Sequence, residues 1–318
     1  MGETGQNGSR PPLVIVTGPT ASGKTRTGIR LARRFGGEIL NADSMQVYRY
    51  LDIGTAKPTL AERSEVPHHL IDIVAPDDQY NAGRYGRDAA RAAREVRQRG
   101  RLVFLVGGTG LYIRVFLEGL MAGGGADPDR RRVLEAEHRA AVKAGEPARL
   151  HRRLASLDPE SGARIHPNDV VRVIRALELI EETGRTVSEL RRSHRPPESP
   201  CRTLHLVIDP GPEQLRACID ARCIRMVEGG LLQEVRSLRE RGYGPELSCM
   251  RAIGYRHMQP VIDGADTLAN VLAEMQKDTR QFARRQRTWL RSLRDAAWMH
   301  PDDEEGLRNR VESFLQRD

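Results

Sequence analysis

The chain has 318 residues, which is enough for about two domains and for a core that needs no disulfide or metal to hold it together. Hydrophobic residues make up 39% and charged residues 30%, and no apolar run approaches the ~18 residues of a membrane span, so a transmembrane protein is excluded. The 51 basic residues exceed the 43 acidic ones by 8 and are nearly all arginine, which favours a polyanionic partner. Solvated helix faces that pair arginine with glutamate explain this composition equally well.

Cysteine usage and the first residues of the chain bear on location. The 4 cysteines have no metal-binding spacing and are predicted to be reduced thiols in a cytoplasmic protein. Residues 1–12 lack the apolar segment of a secretory signal and are predicted to be a disordered leader.

Continuous apolar runs that open into helical patterns predict buried parallel strands joined by crossover helices. The predicted strands cover residues 13–17, 38–40, 70–74, 102–106 and 204–208, and the clearest helices cover 25–35 and 84–98. Strands that alternate with helices predict an α/β fold with a mostly parallel sheet.

The pattern changes after residue 120. Two Gly/Pro-rich segments, MAGGGADPD at 121–129 and RPPESP at 195–200, flank a highly charged stretch with helical periodicity and no strand pattern. We therefore predict an all-helical insertion domain at 123–199 within an α/β core formed by 13–122 and 200–318. From residue 211 onward the pattern is again helical.

The segment GPTASGKT at 18–25 matches the phosphate-binding P-loop, and it has the expected strand before it and helix after it. Its glycines permit a tight turn whose backbone N–H groups face phosphate oxygens, Lys24 adds a charge, and Thr25 offers a hydroxyl to Mg²⁺. The motif predicts a P-loop NTPase-like core that binds a di- or triphosphate. The residues predicted to hold it are Gly18, Pro19, Thr20, Ala21, Ser22, Gly23, Lys24 and Thr25.

Two further polar residues follow predicted strands. Asp43 in NADSMQVY lies at a carboxyl strand end, where parallel sheets keep their ligands, and it is a general base, a magnesium partner or an N-cap of a following helix. After the strand at 102–106, GGTGLY offers Thr109 where a P-loop hydrolase usually has a magnesium-holding aspartate. The glycines there predict close approach of the backbone to a ligand, and the missing aspartate argues against an ordinary NTPase.

The ordered set of motifs resembles the tRNA dimethylallyltransferase (tRNA isopentenyltransferase) family from about residue 14 to 290. The motifs are GPTASGKT, NADSMQVY, LDIGTAKP at 51–58, PHHLID at 67–72, LVGGTGLY at 105–112, HPNDVVRVIRALE at 166–178, MRAIGYR at 250–256 and RQFARRQRTWLR at 280–291.

The resemblance implies transfer of a dimethylallyl group from dimethylallyl diphosphate to N6 of the adenosine 3′ to the anticodon, in tRNAs that read codons beginning with U. By similarity, Asp43 removes the amine proton. Also by similarity, Arg222 acts with Lys24, the loop amides and Thr25-bound Mg²⁺ on the leaving diphosphate. Thr109 is implied to be a hydrogen-bond donor beside the reacting centre, while a loop-stabilising hydroxyl is an equal alternative. For Arg222 the alternative is an ion pair with the region of Asp220 or with Glu228.

The C-terminal stretch carries its own argument for RNA. Six arginines and no acid lie between residues 279 and 294. At ~100° per residue, five of them share one helix face, whereas Phe282, Trp289 and Leu293 lie opposite and are predicted to pack on the core. A one-sided face without acidic partners favours a phosphate-backbone contact over a solvated surface. The five are Arg280, Arg284, Arg287, Arg291 and Arg294.

The resemblance implies further tRNA contacts, for which ordinary ion pairs or turns are the alternative. The residues implied are Asp43, Ser44, Met45, Gln46, Thr109, Arg172, Arg175, Arg251, Gly254 and Arg256. The predicted partners are the tRNA anticodon stem-loop and dimethylallyl diphosphate, with Mg²⁺ as cofactor and no membrane, and the chain is expected to act as a monomer in the cytoplasm. An adenine-nucleotide isopentenyltransferase, a P-loop small-molecule kinase and a non-enzymatic RNA-binding protein are the alternative functions.

Overall fold

A computed structural model describes residues 10–120, 128–194 and 201–317. The chain divides into two compact units, one formed by 1–117 and 199–318 and the other by 118–198. The predicted insertion was 123–199. Most of the predicted leader and of the two Gly/Pro-rich boundary segments lies outside the described residues.

The first unit is built on a six-stranded sheet in which every neighbouring pair of strands is parallel, in the order β3-β2-β4-β1-β5-β6. This is the predicted α/β fold. The strands are β1 Pro12–Thr17, β2 Gly37–Asn41, β3 His68–His69, β4 Leu102–Val106, β5 Arg202–Ile208 and β6 Ala297–Met299.

Two strand predictions need correction. The strand predicted at 70–74 is wrong, because β3 ends at His69 and both Leu70 and Asp72 adopt positive φ angles, of 65° and 56°, which break an extended ladder. The short edge strand β6 was not predicted, since its three residues lie within a stretch assigned to helix.

Helices cover the sheet on both sides. Their bounds are α1 Lys24–Arg34, α2 Leu60–Glu65, α3 Ala82–Gln98 and α4 Gly110–Glu118 before the insertion. The second unit contributes α5 Pro128–Lys143, α6 Arg149–Leu157, α7 Pro159–Arg164, α8 Val170–Thr183 and α9 Val187–Ser193. After it come α10 Pro212–Glu228, α11 Leu231–Glu240, a 3-10 turn at Cys249–Arg251, α12 Tyr255–Ile262, α13 Leu268–Leu290 and α14 Glu304–Leu315.

Side chains alternate along each strand, so the two faces of the sheet carry separate cores. On β1, Leu13 and Ile15 join a core with residues of α3 and α10–α13. Val14 and Val16 face the other way and pack with residues of α1 and α14. This double covering explains why the strands are continuous apolar runs in the sequence.

The second unit is helical throughout its described part, and its core consists of aliphatic side chains from α5, α6, α8 and α9. The Asp158 carboxylate accepts hydrogen bonds from the backbone N–H groups of Ser161 (3.1 Å) and Ser188 (2.9 Å), and so links the first turn of α7 to α9.

No helix among the described residues is long and apolar enough to cross a membrane. All four cysteines are free thiols, and Cys201, Cys223 and Cys249 are buried, which agrees with the prediction of reduced cysteines.

Candidate active site

Three loops leave the carboxyl ends of the adjacent strands β2, β4 and β1 and therefore meet at one edge of the sheet. They bring Lys24, Asp43 and Thr109 to one cavity of about 370 Å³, which helices α10, α12 and α13 also line. Eleven of the predicted site residues line this cavity. They are Thr20, Lys24, Thr25, Asp43, Ser44, Met45, Gln46, Thr109, Arg222, Arg251 and Arg256.

The P-loop has the tight geometry that its glycines permit. Gly23 has φ of 86° and Ala21 has φ of 64°, so the chain reverses between β1 and α1. A side chain at position 18 would lie 2.3 Å from the Ile208 carbonyl oxygen, which explains the glycine there. The Lys24 ammonium donates to the Pro19 carbonyl (3.2 Å) and curls over the loop.

Asp43 combines a structural contact with exposure to the cavity. Its Oδ1 accepts hydrogen bonds from the N–H groups of Met45 (2.9 Å) and Gln46 (3.4 Å). The helix that the N-cap alternative required is absent, because residues 44–47 form a turn. The carboxylate therefore caps this turn while it lines the cavity.

Thr109 ties two of the loops together. Its Oγ1 accepts from the Ser44 N–H (3.0 Å) and donates to the Ser44 hydroxyl (3.3 Å), so the loop-stabilising alternative describes its contacts. Of the neighbouring glycines, Gly108 lines the cavity, whereas Gly107 and Gly110 are packed against other parts of the protein. A Cβ at Gly107 would lie 2.2 Å from the Ala42 carbonyl oxygen, and one at Gly110 would lie 2.5 Å from the Trp289 ring.

Lys24 and Arg222 share the cavity with the Asp43 carboxylate. Burial and the neighbouring Arg222 guanidinium lower the pKa of Lys24 to about 8, against the opposing effect of Asp43. Burial likewise lowers the pKa of Arg222, and the charge of Asp43 again opposes the shift. Arg222 donates to the Thr55 carbonyl (3.3 Å), and Asp220 pairs with Arg280 instead. A second anion in the cavity would stabilise both cations, so the site is suited to a phosphate group.

Apolar side chains form another part of the cavity lining. Met226, Met275, Phe282 and Ile253 lie there together with Met45. Phe282 was predicted to pack on the core, but it is 39% exposed. An anion site beside an apolar wall suits a ligand with a phosphate end and a hydrocarbon end.

Arg251 and Arg256 lie at the exposed part of the lining, on the 3-10 turn and at the start of α12. Gly254 lies between them with φ of 94°, a conformation that favours glycine and directs the chain into α12. Arg256 also forms an ion pair with Asp278 (2.5 Å), so its guanidinium is already oriented by the protein.

The arginines of α13 line a second groove, which lies between α13 and α10 and has a volume of about 640 Å³. Acids from other elements pair with two of these arginines, which the sequence alone did not reveal. Arg287 pairs with the buried Asp209 (2.8 Å), and Arg280 pairs with Asp220. Helix α13 ends at Leu290, so Arg294 lies beyond the predicted helix face. Arg284 and Arg291 are exposed on the groove.

In the second unit, the two predicted arginines both lie on α8 and have local ion-pair partners. Arg172 pairs with Asp169 (3.4 Å), and its side chain is 76% exposed. Arg175 pairs with Glu178 (3.0 Å), whose side chain is only 2% exposed, so this arginine compensates a buried charge.

Gln286 of α13 is a pocket residue that the sequence argument overlooked. Its Oε1 accepts from the Thr20 N–H of the P-loop (2.8 Å), and its Nε2 donates to the Gly108 carbonyl (3.3 Å). One side chain therefore joins α13 to two loops of the site. The only signal in the sequence is an amide within a run of arginines.

The side chains around the P-loop could hold Mg²⁺ only together with the phosphates of a substrate. No group of three or more His, Cys, Asp or Glu residues that could hold a metal ion exists among the described residues. Mg²⁺ commonly uses one or two protein oxygens together with substrate phosphates and water. The Thr25 hydroxyl and the Asp43 carboxylate line the same cavity and are the hard oxygen donors that such an ion requires.

The fold and the site define a P-loop α/β enzyme in which the cavity at the P-loop has an apolar wall and a basic rim. Family comparison agrees with this class. The model of the "IPP transferase" family matches residues 46–293, and that of "Isopentenyl transferase" matches residues 11–72. The chain belongs to the IPP transferase family.

Curated relatives match over nearly the whole chain. The tRNA dimethylallyltransferase of Syntrophobacter fumaroxidans is 46% identical over 312 residues, which cover 98% of this chain and 90% of that protein. The tRNA dimethylallyltransferase of Anaeromyxobacter dehalogenans is 48% identical over 301 residues, which cover 94% of this chain and 99% of that protein.

Solved structures agree with the fold. The tRNA isopentenylpyrophosphate transferase from Bacillus halodurans superposes with a TM-score of 0.70 at 37% identity, covering 97% of both chains. A eukaryotic dimethylallyltransferase acting on tRNA gives a TM-score of 0.78 at 27% identity, covering 96% of this chain and 77% of that one.

Proposed function

We propose that the protein transfers a dimethylallyl group from dimethylallyl diphosphate to N6 of the adenosine 3′ to the anticodon, in tRNAs that read codons beginning with U. One observation carries the proposal: Lys24, Asp43 and Arg222 share a single cavity with an apolar wall. This arrangement accommodates both ends of a prenyl diphosphate and leaves a carboxylate beside them. The tRNA dimethylallyltransferases among the relatives favour this reaction over a small-molecule kinase.

In the proposed reaction the N6 nitrogen forms a bond to the allylic carbon, and the bond from that carbon to the diphosphate oxygen breaks. The leaving diphosphate keeps the electron pair, and the N6 proton passes to Asp43 as general base. Lys24, Arg222 and the P-loop amides stabilise the negative charge that develops on the leaving oxygen. Thr109 holds the Asp43 turn beside the reacting atoms through its two hydrogen bonds with Ser44.

We propose Mg²⁺ as the cofactor, held by the Thr25 hydroxyl beside the diphosphate. When it is bound, this ion supplies positive charge that neutralises the diphosphate oxygens. The protein groups that remain, Lys24 and the backbone N–H groups of the P-loop, orient the diphosphate at the start of α1.

The tRNA anticodon stem-loop is the proposed second substrate. A base inside a folded loop has to leave its stack before its N6 can enter a cavity, so we propose that the adenine is flipped toward Asp43. Contacts to the RNA are proposed for three groups of residues. They are Ser44, Met45, Gln46, Arg251, Gly254 and Arg256 at the cavity, Arg280, Arg284, Arg287 and Arg291 on α13 and its C-cap, and Arg172 and Arg175 on α8. We further propose that the chain acts as a monomer in the cytoplasm.

The direct test is incubation of the protein with radiolabelled dimethylallyl diphosphate, Mg²⁺ and unmodified tRNA, followed by nucleoside analysis. We expect N6-dimethylallyl adenosine at one position of the anticodon loop. Adenosine monophosphate and ATP serve as matched controls. Label on the free nucleotide with none on tRNA would indicate a nucleotide prenyltransferase, and phosphoryl transfer from ATP would indicate a kinase; either result contradicts the proposal.

A further inference from the structure

A loop without helix or strand forms one wall of the cavity. Gly54, Thr55 and Ala56 line it, and the carbonyl oxygens of this loop hold two pocket side chains. The Thr55 carbonyl accepts from Arg222 Nη2 (3.3 Å) and from Gln46 Nε2 (3.2 Å), and Ala56 accepts a second bond from Gln46 (3.3 Å). A displacement of this loop would therefore move the hydrogen-bond acceptors that position Arg222 and Gln46.

The loop is fixed by a carboxylate on a different element. Glu234 of α11 accepts hydrogen bonds from three consecutive backbone N–H groups: its Oε2 from Asp52 (3.1 Å) and Ile53 (2.8 Å), and its Oε1 from Gly54 (3.2 Å). Successive N–H groups that point to one side make a concave anion site, and here a side chain of the protein itself fills it. Gly54 and Glu234, which this contact joins, lie 180 positions apart in the sequence.

Tyr255 completes the attachment. Its hydroxyl donates to Glu234 Oε1 (2.6 Å), and its ring lies so close to the loop that a Cβ at Gly54 would lie 2.4 Å from the ring. Burial, and then the charge of Glu234, raise the pKa of Tyr255 well above its ordinary value, so the hydroxyl remains a donor. The carboxylate thus receives four hydrogen bonds, each of which orients it against the loop.

We infer that Glu234 is a positioning residue for prenyl transfer, because it holds the 52–56 loop where the Thr55 carbonyl places Arg222 and Gln46 in the cavity. The inference rests on the proposed function. Glu234 is absent from the residues that line the cavity, so it acts through its contacts, which are the loop and the lining residue Tyr255. A displacement of about 1 Å in a group that stabilises charge is enough to lower a rate by ~10²-fold.

The test is a double-mutant cycle on single-turnover prenyl transfer to tRNA, with Glu234→Ala and Arg222→Ala made separately and together. We expect Glu234→Ala to lower the rate by ~10–10²-fold in the wild-type background. In the Arg222→Ala background the same substitution should lower it by less than ~3-fold, since residues that act as one unit are not additive. Glu240→Gln, an exposed change at the end of the same helix, is the matched control and should leave the rate unchanged.

A merely structural role makes a different prediction. If Glu234 only stabilised the fold, Glu234→Ala would lower the melting temperature while the rate well below it stayed the same, which would overturn the inference. Equal losses in both backgrounds would also overturn it. Glu234→Gln keeps a hydrogen-bond acceptor for the loop and should retain more activity than Glu234→Ala, and it replaces that variant in the cycle if the alanine protein does not fold. Prenyl transfer by the wild-type protein distinguishes these outcomes from failure of the proposed function itself.

Discussion

The positive charges of the arginines in the second unit, which is helical, and of those on α13 are compensated by acidic residues in different ways. In the helical unit several pairs are local: Arg172 pairs with Asp169 and Arg175 with Glu178, three positions apart along α8. On α13 the partners come from elsewhere, because Arg287 pairs with Asp209 after β5, 78 positions away. Local pairs are visible in a sequence, whereas remote pairs exist only once the sheet has assembled.

The residues of the candidate site are likewise brought together only by tertiary structure. Lys24, Asp43 and Thr109 follow three different strands, and the order of the parallel sheet alone makes them neighbours. Glu234 and Gln286 contact loops of the site from helices that come much later in the chain. Substitutions that disturb a remote contact should therefore affect activity or stability strongly, and those that disturb a local surface pair should have small effects.

The largest effect is expected at Asp43, a residue that assembly of the sheet brings to Lys24. Asp43→Ala should lower turnover by ~10²–10⁴-fold, because a positioned general base supplies about that much, while tRNA affinity stays near that of the wild type. Single-turnover rates and tRNA binding by filter retention measure the two effects.

Asp43→Asn is the matched control for the turn. Its amide oxygen still accepts from the N–H groups of Met45 and Gln46, but it cannot take a proton. We expect it to lose turnover as Asp43→Ala does. An asparagine variant within a few-fold of wild type would assign Asp43 to turn capping alone.

The next effect concerns Lys24, whose pKa burial and Arg222 lower to about 8. Below that pH the ammonium is charged and attracts the diphosphate; above it the free enzyme loses the proton and has to regain it on binding. Affinity for dimethylallyl diphosphate should therefore fall by up to ~10-fold per pH unit above pH 8. Lys24→Arg, which keeps its charge in this range, should flatten the profile even if its affinity is lower. A wild-type affinity that does not change between pH 7 and pH 9.5 would contradict this prediction.

Much of the fold could be predicted because its signals are local. The runs at 13–17, 102–106 and 204–208 are strands, since double-sided burial requires continuous apolar residues. The run at 70–74 is apolar except for Asp72, and it is not a strand because Lys57 and Arg63 bind the Asp72 carboxylate in a loop with positive φ angles. That contact depends on tertiary structure, so periodicity could not reveal it.

The candidate site was predictable where a motif encodes backbone geometry, as at Gly23 and Lys24. It was not predictable where function depends on one side chain at a distance. Glu234 lies in an ordinary amphipathic helix, and nothing in its neighbours indicates that it faces three N–H groups of another loop. Gln286 was not predictable either, because it lies within a run of arginines that drew attention to charge.

Two arginines of α13 that are equivalent in the sequence pattern should differ moderately in their effects on stability and on tRNA binding. Arg287→Gln leaves Asp209, 5% exposed, without its ionic partner and should lower the free energy of unfolding by about 1–3 kcal/mol. Arg284→Gln, on the exposed face, should change that energy by less than about 0.5 kcal/mol. It should instead weaken tRNA binding and flatten the dependence of log affinity on log salt by ~0.7–0.9. Urea unfolding and salt titrations distinguish the two, and a salt slope unchanged by Arg284→Gln would contradict the phosphate contact.

The smallest effect is expected on α8 of the second unit, where the ion pairs of Arg172 and Arg175 are local. Arg175→Gln removes the partner of the buried Glu178 and should cost about 1 kcal/mol of unfolding free energy. Arg172 is 76% exposed, and its surface pair with Asp169 stabilises the helix by only ~0.2–0.5 kcal/mol, so Arg172→Gln should barely change stability. If Arg172 contacts a tRNA phosphate, the same variant should flatten the salt slope by ~0.7–0.9, and the modified nucleoside should stay the same, because backbone contacts position the RNA without selecting a base. A slope identical to that of the wild type would leave Arg172 as a surface ion pair and restrict the tRNA contacts of α8 to other residues.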